Sequence, residues 1–89
     1  MNVICLKMSN GDELVARKVE DAISTYSHVM QVFVQQTREG GMGMGMMPYM
    51  HTIKGDVIQI DDMHIVAIGE VDPDIEKNYL QRTSGIALV

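Results

Sequence analysis

Asn10-Gly11 sits between two short apolar runs, and no other dipeptide in the chain restricts the fold so strongly. VICLKMS at 3–9 is rich in strand formers, with Ile4, Leu6 and Met8 on one side. ELVARKVE at 13–20 reads as the returning partner. Val15, Arg17 and Val19 share one of its faces, and Leu14, Ala16 and Lys18 the other. Asn-Gly in this setting predicts a two-residue type I′ hairpin, because both central residues of that turn need positive φ. The first twenty residues are thereby committed to an antiparallel sheet.

The rest of the chain continues the pattern. DAISTYSH at 21–28 is turn-rich, and VMQVFVQQ at 29–36 predicts a third strand from its β-branched and aromatic content. GGMGMGMMPYM at 40–50 then places five of the nine methionines among four glycines. Glycine at that density costs backbone entropy in any regular element, so a long variable loop is expected over about 37–52. HTI at 51–53 is a candidate strand start; DVIQI at 56–60 reads as a fourth strand and HIVAIGEV at 64–71 as a fifth, with Asp61-Asp62 as the tight turn between them. Asp72-Pro73-Asp74 predicts a helix over about 73–82: Asp72 caps, Pro73 fits the first helical position and Asp74 complements the dipole. Ile75, Tyr79 and Leu80 form its apolar stripe, Gly85 is a stop, and IALV at 86–89 is read as a further strand or a docking segment. The expected fold is one mainly β domain over 1–89, five short strands and then a helix. Strands apolar on both faces suit a closed barrel or an oligomer interface.

Charge is distributed unevenly. Residues 1–54 balance five basic against five acidic side chains, so residues 55–89 carry the whole net charge of −5. An acidic chain is a poor general phosphate binder, so any nucleic-acid contact is expected from a local basic patch. Cys5 is the only cysteine, lies in an apolar run and cannot pair within the chain. It reads as a small buried side chain and suits a reducing compartment. No basic region followed by an apolar block opens the chain, and no run of about 18 apolar residues exists. The expectation is a soluble, cytoplasmic protein without membrane partners.

Four constellations could carry chemistry. Met42, Met44, Met46 and His51 would make a soft thioether and imidazole set for Cu(I), against the alternative of a flexible loop covering apolar surface. His28, His51 and His64 show no ligand spacing. Asp61 and Asp62 are adjacent in a turn and point apart, so a shared Mg²⁺ or acid/base site would need a second subunit. Arg17, Lys18, Arg38 and Lys54, with Tyr26 and Tyr49, are the only basic and aromatic set for single-stranded nucleic acid. No Ser-His-Asp, Cys-His, Walker or zinc-finger arrangement occurs, so no enzyme activity, metal or cofactor is expected.

Two stretches resemble the Sm-like (LSm) family. ICLKMSNGDELVARKV has the family's first-motif order of strand, Gly-ending turn and strand. Ile60-Asp61-Asp62-Met63-His64-Ile65-Val66-Ala67-Ile68 has the length and apolar positions of the second. Leu6, Gly11, Glu13, Leu14 and Ala16, with the later Pro73 and Tyr79, are similar to small Sm-like proteins predicted in marine T4-like phages of cyanobacteria. The resemblance spans roughly residues 3–82 and implies a small five-stranded Sm-like barrel. It further implies a homo-oligomeric ring, pentamer to heptamer, in which the fourth strand of one subunit pairs with the fifth of the next. In the family, uridine-rich or other single-stranded RNA stacks at the pore; the expectation for this chain is binding of RNA or single-stranded DNA with a role in RNA or DNA processing, in the host cytoplasm if it is phage-encoded. The pore loops map to about 21–28 and 61–64, which brings His28 and His64 toward the pore. With the basic and aromatic side chains already named, the expected nucleic-acid set is Arg17, Lys18, Tyr26, His28, Arg38, Lys54 and His64. One departure is pointed: the family's Arg-Gly pair is Asp61-Asp62 here, an anion where a cation meets phosphate. The family's N-terminal helix is also missing, and the predicted helix is C-terminal. A protein-interaction scaffold ring without nucleic acid is the alternative expectation.

Overall fold

The computed structural model describes residues 3–83. The segment 86–89 therefore lies outside the described residues. Six strands and one helix follow in the order β1 (Val3–Met8), β2 (Glu13–Lys18), β3 (Thr25–Gln36), β4 (Met42–Pro48), β5 (Val57–Gln59), β6 (Ile65–Glu70) and α1 (Pro73–Thr83). A single 3-10 turn, Asp62–His64, joins β5 to β6. All strand pairings are antiparallel, in the order β4-β3-β2-β1-β6, with β5 on the other half of β3. No ladder among the described residues joins β6 to β4 or β5, so the sheet is open at both edges.

The first hairpin forms at Asn10-Gly11 with a different turn from the one expected. Gly11 alone has positive φ (99°), and its N–H donates to the Met8 carbonyl at 2.9 Å. Asn10 instead accepts the Asp12 N–H through Oδ1 at 3.0 Å. This is a longer loop closed by a left-handed glycine.

The expected loop over 37–52 is corrected, because its middle is a strand. β4 pairs with β3 over seven positions, from Met30↔Pro48 to Gln36↔Met42. The residues alternate with the pleat, which sends Met42, Met44 and Met46 to one face and Gly43 and Gly45 to the other. Glycine has a packing reason there. Gly45 lies opposite Phe33, and a Cβ built on it would come within 2.5 Å of the phenyl ring. The aromatic ring fills the space a side chain would take. The strand count is accordingly six instead of five.

β3 is bent in its middle. Val15 pairs with Met30 but Arg17 pairs with Ser27, so one extra residue of β3 is bulged out between them. His28 occupies the bulge with φ of 50°. Beyond the bend the strand changes partner, from β4 on its C-terminal half to β5 on its N-terminal half. Bulges serve this purpose generally, re-aiming a strand at the cost of one ladder position.

Apolar side chains pack on both faces of the bent sheet. Leu6, Met8, Leu14, Ala16, Tyr26, Val29 and Ile60 make one core. Val15, Met30, Met46 and Tyr79 make the other, with Val71, Ile75 and Leu80 against it. α1 is the cover for this second core. It starts at Pro73, with Asp72 Oδ1 accepting the Asp74 N–H at 2.9 Å, and it inserts the fully buried Tyr79.

Gly45→Val should lower stability by about 1–3 kcal/mol through overpacking against Phe33. Thermal unfolding of Gly45→Val, Phe33→Ala and the double variant checks this. The double variant should cost clearly less than the two single costs together, because the shorter side chain removes the clash.

Candidate functional site

Two loops meet at one end of the sheet. The Ile60 N–H donates to the Ser24 carbonyl at 2.9 Å, which holds the 19–24 connection beside the turn at 61–64. Each loop has a local reason for its shape. Asp21 and Ser24 take left-handed backbone, with φ of 63° and 53°. Short polar side chains tolerate that region better than branched ones. Asp61 caps the 3-10 turn, its Oδ1 accepting the Met63 N–H at 3.0 Å.

The predicted residues divide between this end and other places. Lys18, Tyr26 and Asp62 come together. Lys18 donates through Nζ to the Ala22 carbonyl at 2.8 Å and lies 5.2 Å from the centre of the Tyr26 ring. Tyr26 is buried in the first core, and burial pushes its phenol pKa up, with the Asp62 carboxylate adding to the shift. Its ring is therefore packed rather than offered for stacking. Arg17 is drawn under α1, where a guanidinium N–H donates to Thr83 Oγ1 at 3.0 Å over the Tyr79 ring. Arg38 is exposed at the tip of the β3–β4 hairpin, and Lys54 is exposed in the 49–56 segment. His64 lies at the 3-10 turn with Nδ1 3.4 Å from Ser9 Oγ. His28 is at the bulge, with Nε2 3.5 Å from Asp56 Oδ2. The basic residues thus do not line one groove.

What the loops do present is acidic and apolar. Glu20, Asp21, Asp61 and Asp62 are exposed there, and Ile23 and Met63 stand out at 87% and 84% exposure. Among the described residues no group of three or more His, Cys, Asp or Glu converges to hold a metal. The methionine set does not assemble at the surface either, since Met46 is buried while Met42 and Met44 are exposed.

Sequence reasoning missed the two open sheet edges. β6 is exposed almost throughout, with Val66 and Ile68 at 63% and 62%. Ile68 lies directly opposite the buried Leu6 and shares its face, so the first core runs out to the edge of the molecule. On the other edge Val57, Met44 and Met42 are exposed. The Met-Gly period of two was the available signal for β4. Nothing in IVAIGE marked it as an edge.

No protein-family model matches the chain, and no curated protein matches it. No helix among the described residues is long and apolar enough to cross a membrane.

Tyr79 ties this chemistry to pH. Burial raises its phenol pKa from 10.0 to about 12, against the lowering influence of Arg17 and Thr83. The unfolded chain loses that proton first, so stability should be level below pH 10 and fall between 10 and about 12. Alkaline unfolding curves check the sign. Tyr79→Phe should flatten most of the fall, leaving the slope due to Tyr26. At neutral pH it should cost about 0.5–1.5 kcal/mol for the lost hydrogen bond.

Proposed function

We propose that the chain is an Sm-like protomer that assembles edge to edge into a homo-oligomeric ring and serves as a protein-interaction scaffold. The single observation that carries this is the pair of open apolar edges. An exposed strand edge invites another strand, and proteins usually guard one with Lys, Pro or a cover. β6 carries Val66, Ala67 and Ile68 with no such guard, and its free side is the right kind of surface to add to β4 and β5 of a second copy. Support for the Sm-like reading comes from the short turn between the last two strands and from the strand order, in which the last strand pairs with the first and β3 carries a bulge.

The scaffold reading is preferred over nucleic acid because of where the cations lie. Arg17 and Lys18 are engaged internally, and four exposed carboxylates surround the loops that the resemblance places at the pore. Carboxylates there repel phosphate, while Ile23 and Met63 suit contact with another protein.

Sedimentation velocity of the intact chain should give a closed oligomer of several protomers. Ile68→Lys should shift it to a monomer with an unchanged circular dichroism spectrum, because Ile68 is exposed in the single subunit. A wild-type monomer at tens of micromolar would remove the ring. Labelled oligo(U) and oligo(A) should show no binding at low salt. Salt-dependent binding lost in a Lys18→Glu, Arg38→Glu variant would instead favour the nucleic-acid ring.

A further inference from the structure

Glycine inside a strand weakens it, and it marks a bulge, a sharp bend or the close approach of another group. Gly45 meets Phe33 within its own subunit, but Gly69 of β6 has no such neighbour. Its φ is not in the left-handed region, and the β1–β6 ladder is regular from Ile4↔Glu70 to Lys7↔Ala67. A Cβ built on Gly69 would meet only Cys5 Sγ at 3.5 Å, an ordinary contact. The fold of one copy therefore gives no reason for the missing side chain.

Its absence leaves a notch of about 230 Å³ in the open edge. Gly69 and Ala67 lie opposite Cys5 and Lys7, and these four line the notch together with Glu13. Lys7 and Glu13 pair at 3.5 Å, which neutralises the polar part of the wall. β4, at the other end of the sheet, has the reverse relief on the same face. Cys5 lies opposite Val15, and Val15 and Met46 share the second core, so the notch and the β4 methionines are on one side of the sheet. Met44 lines a small hollow with Val32 and Ile75 of its own chain. Met42 stands clear, 73% exposed. An unbranched thioether adapts well to an irregular recess.

Charge decides which edges meet. Residues 61–76, which include β6, carry Asp61, Asp62, Glu70, Asp72, Asp74 and Glu76 and no Lys or Arg. Residues 37–55, which include β4, carry Arg38 and Lys54 against Glu39 alone. β6 against β6 sets carboxylates together, whereas β6 against β4 sets opposite signs together.

We infer that successive copies join head to tail, with Met42 of one seated in the notch over the partner's Gly69. This rests on the ring proposed above and adds the contact that gives it a direction. A contact between two different edges leaves each copy with one of each free, and it closes as a ring.

The test uses the full chain, with Cys5 as the native reporter. Maleimide should label Cys5 at least ten-fold more slowly in the wild-type assembly than in the Ile68→Lys monomer. Met42→Cys, oxidised with diamide, should give a ladder of linked oligomers whose bridging peptides join positions 42 and 5, and adding Cys5→Ser should abolish it. Gly69→Val fills the notch. It should melt no lower than the Ile68→Lys monomer yet fail to assemble, and adding Met42→Ala should restore part of the oligomer. An oligomer that survives Gly69→Val, or that links no 42 to 5, would overturn the notch and leave the ring standing. A Cys5–Cys5 link would mean β6 facing β6 and overturn the head-to-tail order. A wild-type monomer would remove the ring itself.

Discussion

The hydroxyl of Tyr79 donates to the carbonyl of His28 at 2.7 Å, and much of the architecture depends on that contact. A bulge takes a residue out of its ladder and leaves its backbone groups without strand partners. Here the His28 N–H donates to the Asp56 carbonyl, and the helix α1 brings a phenol to the His28 carbonyl. The bulge bends β3, the bend lets β4 and β5 share one strand, and the gap between those two is spanned by the 49–56 segment. The helix, the bend of β3 and the gap between β4 and β5 meet at this part-buried polar contact, beside the Arg17–Thr83 hydrogen bond.

The same bend creates the surface. A sheet curled this far without closing leaves β6 at one end and β4 with β5 at the other. Ile68 continues the row of buried side chains through Leu6 and then meets solvent. An apolar row that stops at an edge is an interior missing its last layer. The loops at the far end present a different surface, acidic with two apolar tips, and their chemistry differs from a phosphate-binding pore for the simple reason that like charges repel.

Much of the fold was legible in the chain. The first hairpin, the strands at 29–36 and 64–71 and the capped helix at Pro73 follow from turn chemistry, alternation and capping, which act over a few residues. β4 was legible in principle and was hidden by composition: Met42, Met44 and Met46 alternate with glycine, and the period of two outweighs glycine's entropy cost once Phe33 lies across Gly45. The candidate site was less legible. Arg17, Lys18 and Tyr26 look like a basic and aromatic surface in the sequence, yet each spends its interactions within the fold, on Thr83, Ala22 and the first core. Exposure of a cation or ring is decided by what packs over it.

The sequence by itself determined the class of elements and their order, because propensity, periodicity and caps are local. It also determined the acidic character of the turn at Asp61-Asp62, which no folding can remove. Only the tertiary structure decided where β3 bends, which apolar residues are left at the edges and which polar groups are buried together. Those outcomes rest on contacts between residues far apart in the chain, Tyr79 with His28 and Ile68 beside Leu6, and the spacing of letters along a sequence does not encode which distant pair will meet.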